Sequence, residues 1–346
     1  MHLSNTRFIR TRARIAALAA LVLVFSLLAG VACDNSNATT KTTYRLADAG
    51  WDSIQFHNAA VSVILEHGYD ILTEEVSGST PITWQALTTG DLQIYMEVWS
   101  ENIPAYQPDI DAGKAIELGV NFDDNAQGFY VPRYVVEGDP ERGIEPMAPG
   151  LKTVQDLPEY ADVFTDPEDS SKGRIYGAIP GWAIDEIMFK KYETYGLDET
   201  FNYFRPGSDA GLAASLVSAY DKGDAWVGYY WDPTWITGKL DLVLLGDTPF
   251  TNMEDFENGL NECPANRVTI AIHPSVQEEN PAVAEMLSRY QTSSALTAEA
   301  LAYMNDNDAT AKEAAIWFLS EHADLLETWV GDADRLADIQ EALQAE

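Results

Sequence analysis

The chain has 346 residues, 46% of them hydrophobic and 22% charged, enough apolar material for two domains of ordinary size and too much for a disordered chain. Acidic residues outnumber basic ones 55 to 21, a formal net charge of −34, so the surface repels nucleic acid and anionic lipid and suits a cationic ligand or a saline milieu. Two cysteines exclude a disulfide-stapled scaffold.

Residues 1–33 read as a leader. Arg7, Arg10, Arg12 and Arg14 precede an uncharged apolar run over residues 15–28, followed by Ala29-Gly30-Val31-Ala32-Cys33: a basic region, a hydrophobic region and a small-residue processing zone. A cysteine at that point, followed by the Ser/Asn/Thr-rich residues 34–43, resembles a bacterial lipoprotein signal with a flexible tether and Cys33 as the lipidated residue, although Gly30 stands where leucine is usual. An uncleaved anchor helix over residues 15–33 is the other reading. Both place the globular part outside the cytoplasm, and the fold then rests on its core, with Cys263 a lone thiol read as a small buried residue.

From residue 43 short apolar runs alternate with amphipathic ones, the α/β signature. A strand is expected over 44–47 and a helix from Asp52 or Ser53, as its cap, to residue 67, stopped by Gly68. A strand over 70–76, a helix over 83–87 ended by Gly90, and a strand over 92–98 complete a β-α-β-α-β unit. After a helical stretch past Pro104 comes a strand over 127–131, stopped by Pro132, which opens a second unit of the same kind. Its parts are a strand over 175–179, a helix over 183–195 closed by Gly196, a strand over 201–204, a helix over 209–222 and a strand over 226–230. A returning strand over 267–272 precedes four helical segments over 281–290, 295–304, 309–322 and from 324 onward. Trp317 and Trp329 read there as core residues. The inferred architecture is two lobes, residues 44–128 with 268–346 and residues 129–267, with chain crossings near 127–130 and 267–272 and a ligand cleft between them.

Catalytic patterns are missing. His2, His57, His67, His273 and His322 show no metal-ligand spacing, and no nucleophile elbow, phosphate loop or dinucleotide fingerprint occurs, so no catalytic residue, metal or cofactor is expected. Asp185 and Glu186 fit a solvated helix start. Tryptophans carry the content: Trp51 in Gly50-Trp51-Asp52-Ser53, Trp99 in Glu97-Val98-Trp99, Trp182 in Pro180-Gly181-Trp182-Ala183, and Trp231 in Trp231-Asp232-Pro233-Thr234-Trp235 all sit where a strand ends and a helix begins. Ligands of open α/β sheets bind at such ends. Each indole face contributes about 0.5–2 kcal/mol to a cation, so three or four supply most of the roughly 8 kcal/mol that micromolar binding of a quaternary ammonium group requires.

These four motifs, in this order and spacing, resemble the glycine betaine/proline-betaine substrate-binding proteins of ABC transporters, over nearly the whole chain past residue 43. The resemblance implies a two-lobed periplasmic-binding-protein fold of type II and no enzymatic activity. It implies a monomeric, extracytoplasmic protein that meets the membrane only through its lipid and passes a small quaternary amine to permease and ATPase subunits for osmoprotection. It further implies a cage of Trp99, Trp182 and Trp231 with Trp51 as an added ring, and backbone N–H groups of Ala183 and Ile184 on the ligand's carboxylate. Relatives often place a histidine four or five residues past the tryptophan matching Trp99; Ile103 and Pro104 stand there. Asn102 or Tyr106 is expected to substitute, and Asp52 or Glu101 near the box keeps choline or carnitine open as ligand. A rival of another class is a secreted carbohydrate-active protein with tryptophan platforms.

Overall fold

The computed structural model describes residues 41–345, so the leader, Cys33 and most of the tether lie outside the described residues. The alternation past residue 43 produces two mixed five-stranded sheets. The first, of order β2-β1-β3-β10-β4, is built from β1 (Thr43–Asp48), β2 (Leu72–Ser77), β3 (Ile94–Trp99), β4 (Ile116–Phe122) and β10 (Val268–Ile272). β1 runs parallel to β2 and β3, and β10 antiparallel to β3 and β4. The second, of order β7-β6-β8-β5-β9, is built from β5 (Ala126–Pro132), β6 (Gly173–Tyr176), β7 (Phe201–Phe204), β8 (Gly228–Asp232) and β9 (Leu242–Leu244). Here β6 is parallel to β7 and β8, while β5 is antiparallel to β8 and β9. Helices flank both sheets. Among the described residues no helix is long and apolar enough to cross a membrane.

The first helix shows where local signals were overridden. Gly68 does not stop it: the helix runs Asp52–Tyr69, and Asp70, in the left-handed region at φ 57°, ends it by donating its N–H to the Leu65 carbonyl. Gly68 serves packing instead, since a Cβ there would lie 2.8 Å from Ile339 Cδ1 on the last helix, Ala333–Ala345. Nor does Asp52 or Ser53 cap it; Trp51 holds that position without a side-chain bond, because the Ser53 hydroxyl is engaged with Glu97.

Elsewhere the boundaries follow ordinary capping. Gly90 at φ 84° closes the helix Thr80–Thr89, and the Ser208 hydroxyl accepts the Gly211 N–H at 3.1 Å to start Asp209–Lys222. β4 and β9 escaped the sequence reading; in β4, Glu117, Gly119 and Asn121 interrupt the apolar pattern, and antiparallel pairing with β10 supplies what propensity lacks. The segment after residue 324 is two helices, Ala323–Val330 and Ala333–Ala345, parted at Gly331. Trp329 is core, stacked on Tyr290 at 4.2 Å. Trp317 is only half-buried, stacked on Tyr303 at 4.3 Å, since its helix turns the Ala314, Ala315, Phe318 and Leu319 face inward. Cys263 is also half-buried, against Met188.

That helix, Ala311–Glu321, opens with a capping box in which Glu313 N–H donates to Thr310 Oγ1 at 3.2 Å and Thr310 N–H to Glu313 Oε2 at 2.8 Å. Thr310→Ala is expected to cost about 1 kcal/mol of stability, read as a lower denaturation midpoint at unchanged ligand affinity; an unaltered midpoint would show that the box contributes nothing.

The segments expected to be crossings are themselves strands, β5 and β10. The chain passes between the sheets just ahead of each, where buried Asn125 and Asn266 hold the two passages together: Asn125 Nδ2 donates to the Asn266 carbonyl at 2.6 Å and Asn266 N–H to Asn125 Oδ1 at 3.1 Å. Asn102 and Gln127 pair beside them through two amide contacts of 3.1 and 3.3 Å. Unpaired, these buried amides would each cost about 1–3 kcal/mol, so the crossing is specified by its polar network as well as by apolar packing.

Candidate functional site

Two strands and two strand-to-helix turns deliver four indoles. Past β1, the Gly50 N–H donates to Asp48 Oδ1 at 2.9 Å, and Gly50 at φ 91° turns the chain so that Trp51 points inward. β3, buried along its whole length, ends on Trp99. From the second sheet, Gly181 adopts φ 98° while its carbonyl accepts the Thr80 N–H at 2.9 Å from across the cleft. A Cβ on Gly181 would sit 3.1 Å from Ser79 Cβ, so glycine is required for this approach. Trp182 follows at the start of the helix Ala183–Thr194. Trp231 lies on β8, before a cis Asp232-Pro233 peptide and the Thr234 cap of the helix Trp235–Lys239.

The indoles converge. Trp182 meets Trp51 edge to face at 5.6 Å and Trp231 at 5.0 Å, and its Nε1 donates to the Ala49 carbonyl at 3.1 Å, tying the second sheet's turn to the end of β1. Trp51, Trp99, Trp182 and Trp231 line one cavity with Tyr229, Thr80, Asn102, Ala183 and Ile184. Its volume, ≈ 30 Å³, is room for two or three water molecules.

Donors complete the wall. Trp182 caps its helix without a side-chain bond, so the first amides, those of Ala183 and Ile184, carry N–H groups with no partner inside the helix, at its positive end. That is an anion site by geometry. Asn102 lines the cavity, held by Gln127, whose Oε1 also accepts the Tyr229 hydroxyl at 3.0 Å. Tyr106 is not among the lining residues: its hydroxyl donates to Glu117 at 2.7 Å and its ring packs on Trp84. Asp52 lines a second, smaller cavity that shares Trp231, with Ser53, Asp209 and Trp235. Burial raises the Asp52 carboxyl above its ordinary range and, with Asp52 nearby, pushes that of Asp209 up to about 7. Glu101 faces the crossing, its carboxylate accepting the Arg267 N–H at 2.9 Å.

Glu97 was legible only as part of the Trp99 motif, yet it holds the N–H edges of two of the indoles. Fully buried, it accepts Trp51 Nε1 at 2.8 Å, Trp99 Nε1 at 2.9 Å and the Ser53 hydroxyl at 2.9 Å, all on Oε1. Burial raises its carboxyl, against the pull of these three bonds, to about 7. An acid in the otherwise uncharged strand Ile94–Trp99 was the available signal. Tyr229 and Thr80 also went unread as lining residues. Among the described residues no group of His, Cys, Asp and Glu has the makings of a metal site.

A glycine betaine-binding periplasmic protein of Dickeya dadantii (strain 3937) is 27% identical over 144 residues, which cover 38% of this chain and 42% of that protein; the match thus spans less than half of the curated relative. Among solved structures, an ABC-transporter choline-binding protein in complex with choline has a TM-score of 0.68 at 21% identity, covering 87% of this chain and 98% of that one. A glycine betaine, L-proline ABC transporter binding protein from Borrelia burgdorferi also scores 0.68, at 17% identity, covering 86% of this chain and all of the other. These likenesses show the fold. The family model for the substrate-binding domain of ABC-type glycine betaine transport systems matches residues 42–321, most of the chain, and to that family this protein belongs.

Proposed function

We propose that the chain captures glycine betaine or a close betaine outside the cytoplasm and passes it to the permease and ATPase of an ABC importer. One observation carries this reading: four indoles, two from each sheet's strands and turns, and the first residues of the helix Ala183–Thr194 line the same cavity. Indole faces suit a trimethylammonium group, which has no hydrogen to donate, and the helix start suits the carboxylate at the ligand's other end. A thermal-shift panel of betaines, choline, carnitine and oligosaccharides tests it. Quaternary amines raise the melting temperature; stabilisation by sugars alone would replace the reading with that of a carbohydrate-binding protein.

Binding works through the two lobes, residues 44–128 with 268–346 and residues 129–267. Trp51 and Trp99 belong to one and Trp182 and Trp231 to the other, so neither lobe completes the cage, and the passages at Asn125 and Asn266 serve as the hinge. Small-angle scattering is expected to give a smaller radius of gyration with ligand than without; equal radii would argue for a rigid, preformed site. The protein acts as a monomer anchored by lipid on Cys33, and globomycin-sensitive processing of the full-length chain tests the anchor.

A further inference from the structure

We propose that Glu97 is the positioning residue of the cage: its carboxylate holds Trp51 and Trp99 by their indole N–H groups and puts a negative charge at the N–H edge of both rings, so that its ionisation sets the affinity for a quaternary ammonium group. The inference rests on the cage reading above. One oxygen, Oε1, takes both indoles and Ser53, which fixes two rings from different strand ends relative to each other. The other, Oε2, is buried with no hydrogen-bond partner, and its nearest basic neighbour is His57 Nε2 at 4.0 Å. Burial holds His57 down to about 3, so that ring is neutral and supplies no counter-charge. A carboxylate with two of its acceptor sites idle and no cation beside it is costly. A ligand cation against the faces of the two indoles, whose N–H edges Glu97 holds, is the missing partner. An N–H bonded to an anion also enriches the ring face that the cation meets.

Groups packed around Glu97 leave it alone in titrating near neutrality from this side. His57, on the helix Asp52–Tyr69, is held neutral, its Nδ1 against the Tyr290 hydroxyl at 2.9 Å. Burial pushes the phenols of Tyr290, beyond the helix Pro281–Arg289, and of Tyr95, on β3 itself, far above the working range, and the charge of Glu97 pushes them the same way. Asp48, at the end of β1, also acts on Tyr95. Asp52 and Asp209 face Trp231 from the second cavity and are the groups to be told apart from Glu97.

The sign follows from linkage. A bound cation favours the ionised carboxylate, so it lowers the Glu97 pKa from its ligand-free value of about 7, and binding releases protons. Affinity is therefore full above that value and falls as pH drops through it. For glycine betaine or choline, neither of which titrates in this range, wild-type affinity is expected to fall about five- to tenfold between pH 8 and pH 6. Glu97→Gln keeps one carbonyl oxygen for the indoles and loses the charge: its affinity is flat with pH, at about the wild-type level of pH 6. Asp209→Asn keeps the wild-type slope. Calorimetry of the wild type at pH 7, in two buffers of different ionisation enthalpy, reads the released proton without any variant. Tight binding with a flat profile and no proton release, or a wild-type slope in Glu97→Gln, would overturn the role of Glu97 and leave the cage standing. Failure of every quaternary amine to bind at any pH would overturn the cage itself, and the proposal with it.

Discussion

Replacing Trp182 with alanine is expected to weaken glycine betaine binding by about 2 kcal/mol or more, roughly thirtyfold, in titrations on folded protein. Trp182 touches Trp51 and Trp231 edge to face and bonds the Ala49 carbonyl across the cleft. Its loss removes a cation-facing ring, the support of two others and a contact that ties the lobes. Trp231→Ala and Trp99→Ala follow at about 1–2 kcal/mol, because each is backed by neighbours that stay: Tyr230 and Tyr229 stack on Trp231 at 5.0 and 6.0 Å, and Phe122 meets Trp99 at 6.2 Å. Trp317→Ala is the control. Its ring stacks on Tyr303 and is only half-buried, so the protein loses about 1 kcal/mol of stability and no affinity. If Trp317 mattered to affinity as much as Trp182, the assignment of the cage would be wrong.

Why these tryptophans were legible and Glu97 was not has a physical cause. An indole beside Gly50, Pro180-Gly181 or Asp232-Pro233 advertises itself, since turn chemistry and a large aromatic rarely share a place without purpose. The positions of most strands were readable from alternation for the same reason: periodicity is local. Glu97 is local too, but its meaning is not, because three donors from a turn, a helix and a strand end meet on one oxygen only after β1 and β3 pair. β4 shows the same limit, as do the passages at Asn125 and Asn266, whose polar residues read as loop until their partners, about 140 residues away in sequence, are in place. Tyr106 was misread in the opposite sense: near Trp99 in sequence, it turns toward Glu117 and Thr269 instead of the cavity.

Glycine betaine is expected to bind about ten- to a hundredfold more tightly than choline on the same preparation, and calorimetry of the two ligands decides it. Both present the same trimethylammonium group to the indoles, so the cage cannot tell them apart; the difference lies at the other end. A carboxylate reaching the Ala183 and Ile184 N–H groups gains charge-assisted hydrogen bonds worth about 1.5–3 kcal/mol each at the positive end of a helix. A choline hydroxyl is neutral and gains about half as much per bond. With Ile103 and Pro104 where a histidine is common, no imidazole adds to the carboxylate's side, and Asn102, whose amide already pairs with Gln127, is the one side-chain amide on the cavity wall. Two backbone donors, at roughly 1.4 kcal/mol per factor of ten, therefore set the selectivity. The carboxylates nearest the cavity act the other way. Glu97 lies at the N–H edges of two indoles and Asp52 shares a second cavity with Trp231, and both favour a ligand with a net positive charge over a zwitterion. Their pull is common to both trimethylammonium groups at the cage, and only its residue on the distant carboxylate opposes betaine. Should choline bind tenfold more tightly, that residue exceeds the helix-start donors, the anion site at Ala183 and Ile184 is not used, and Asp52→Asn is then the substitution expected to restore the preference for betaine.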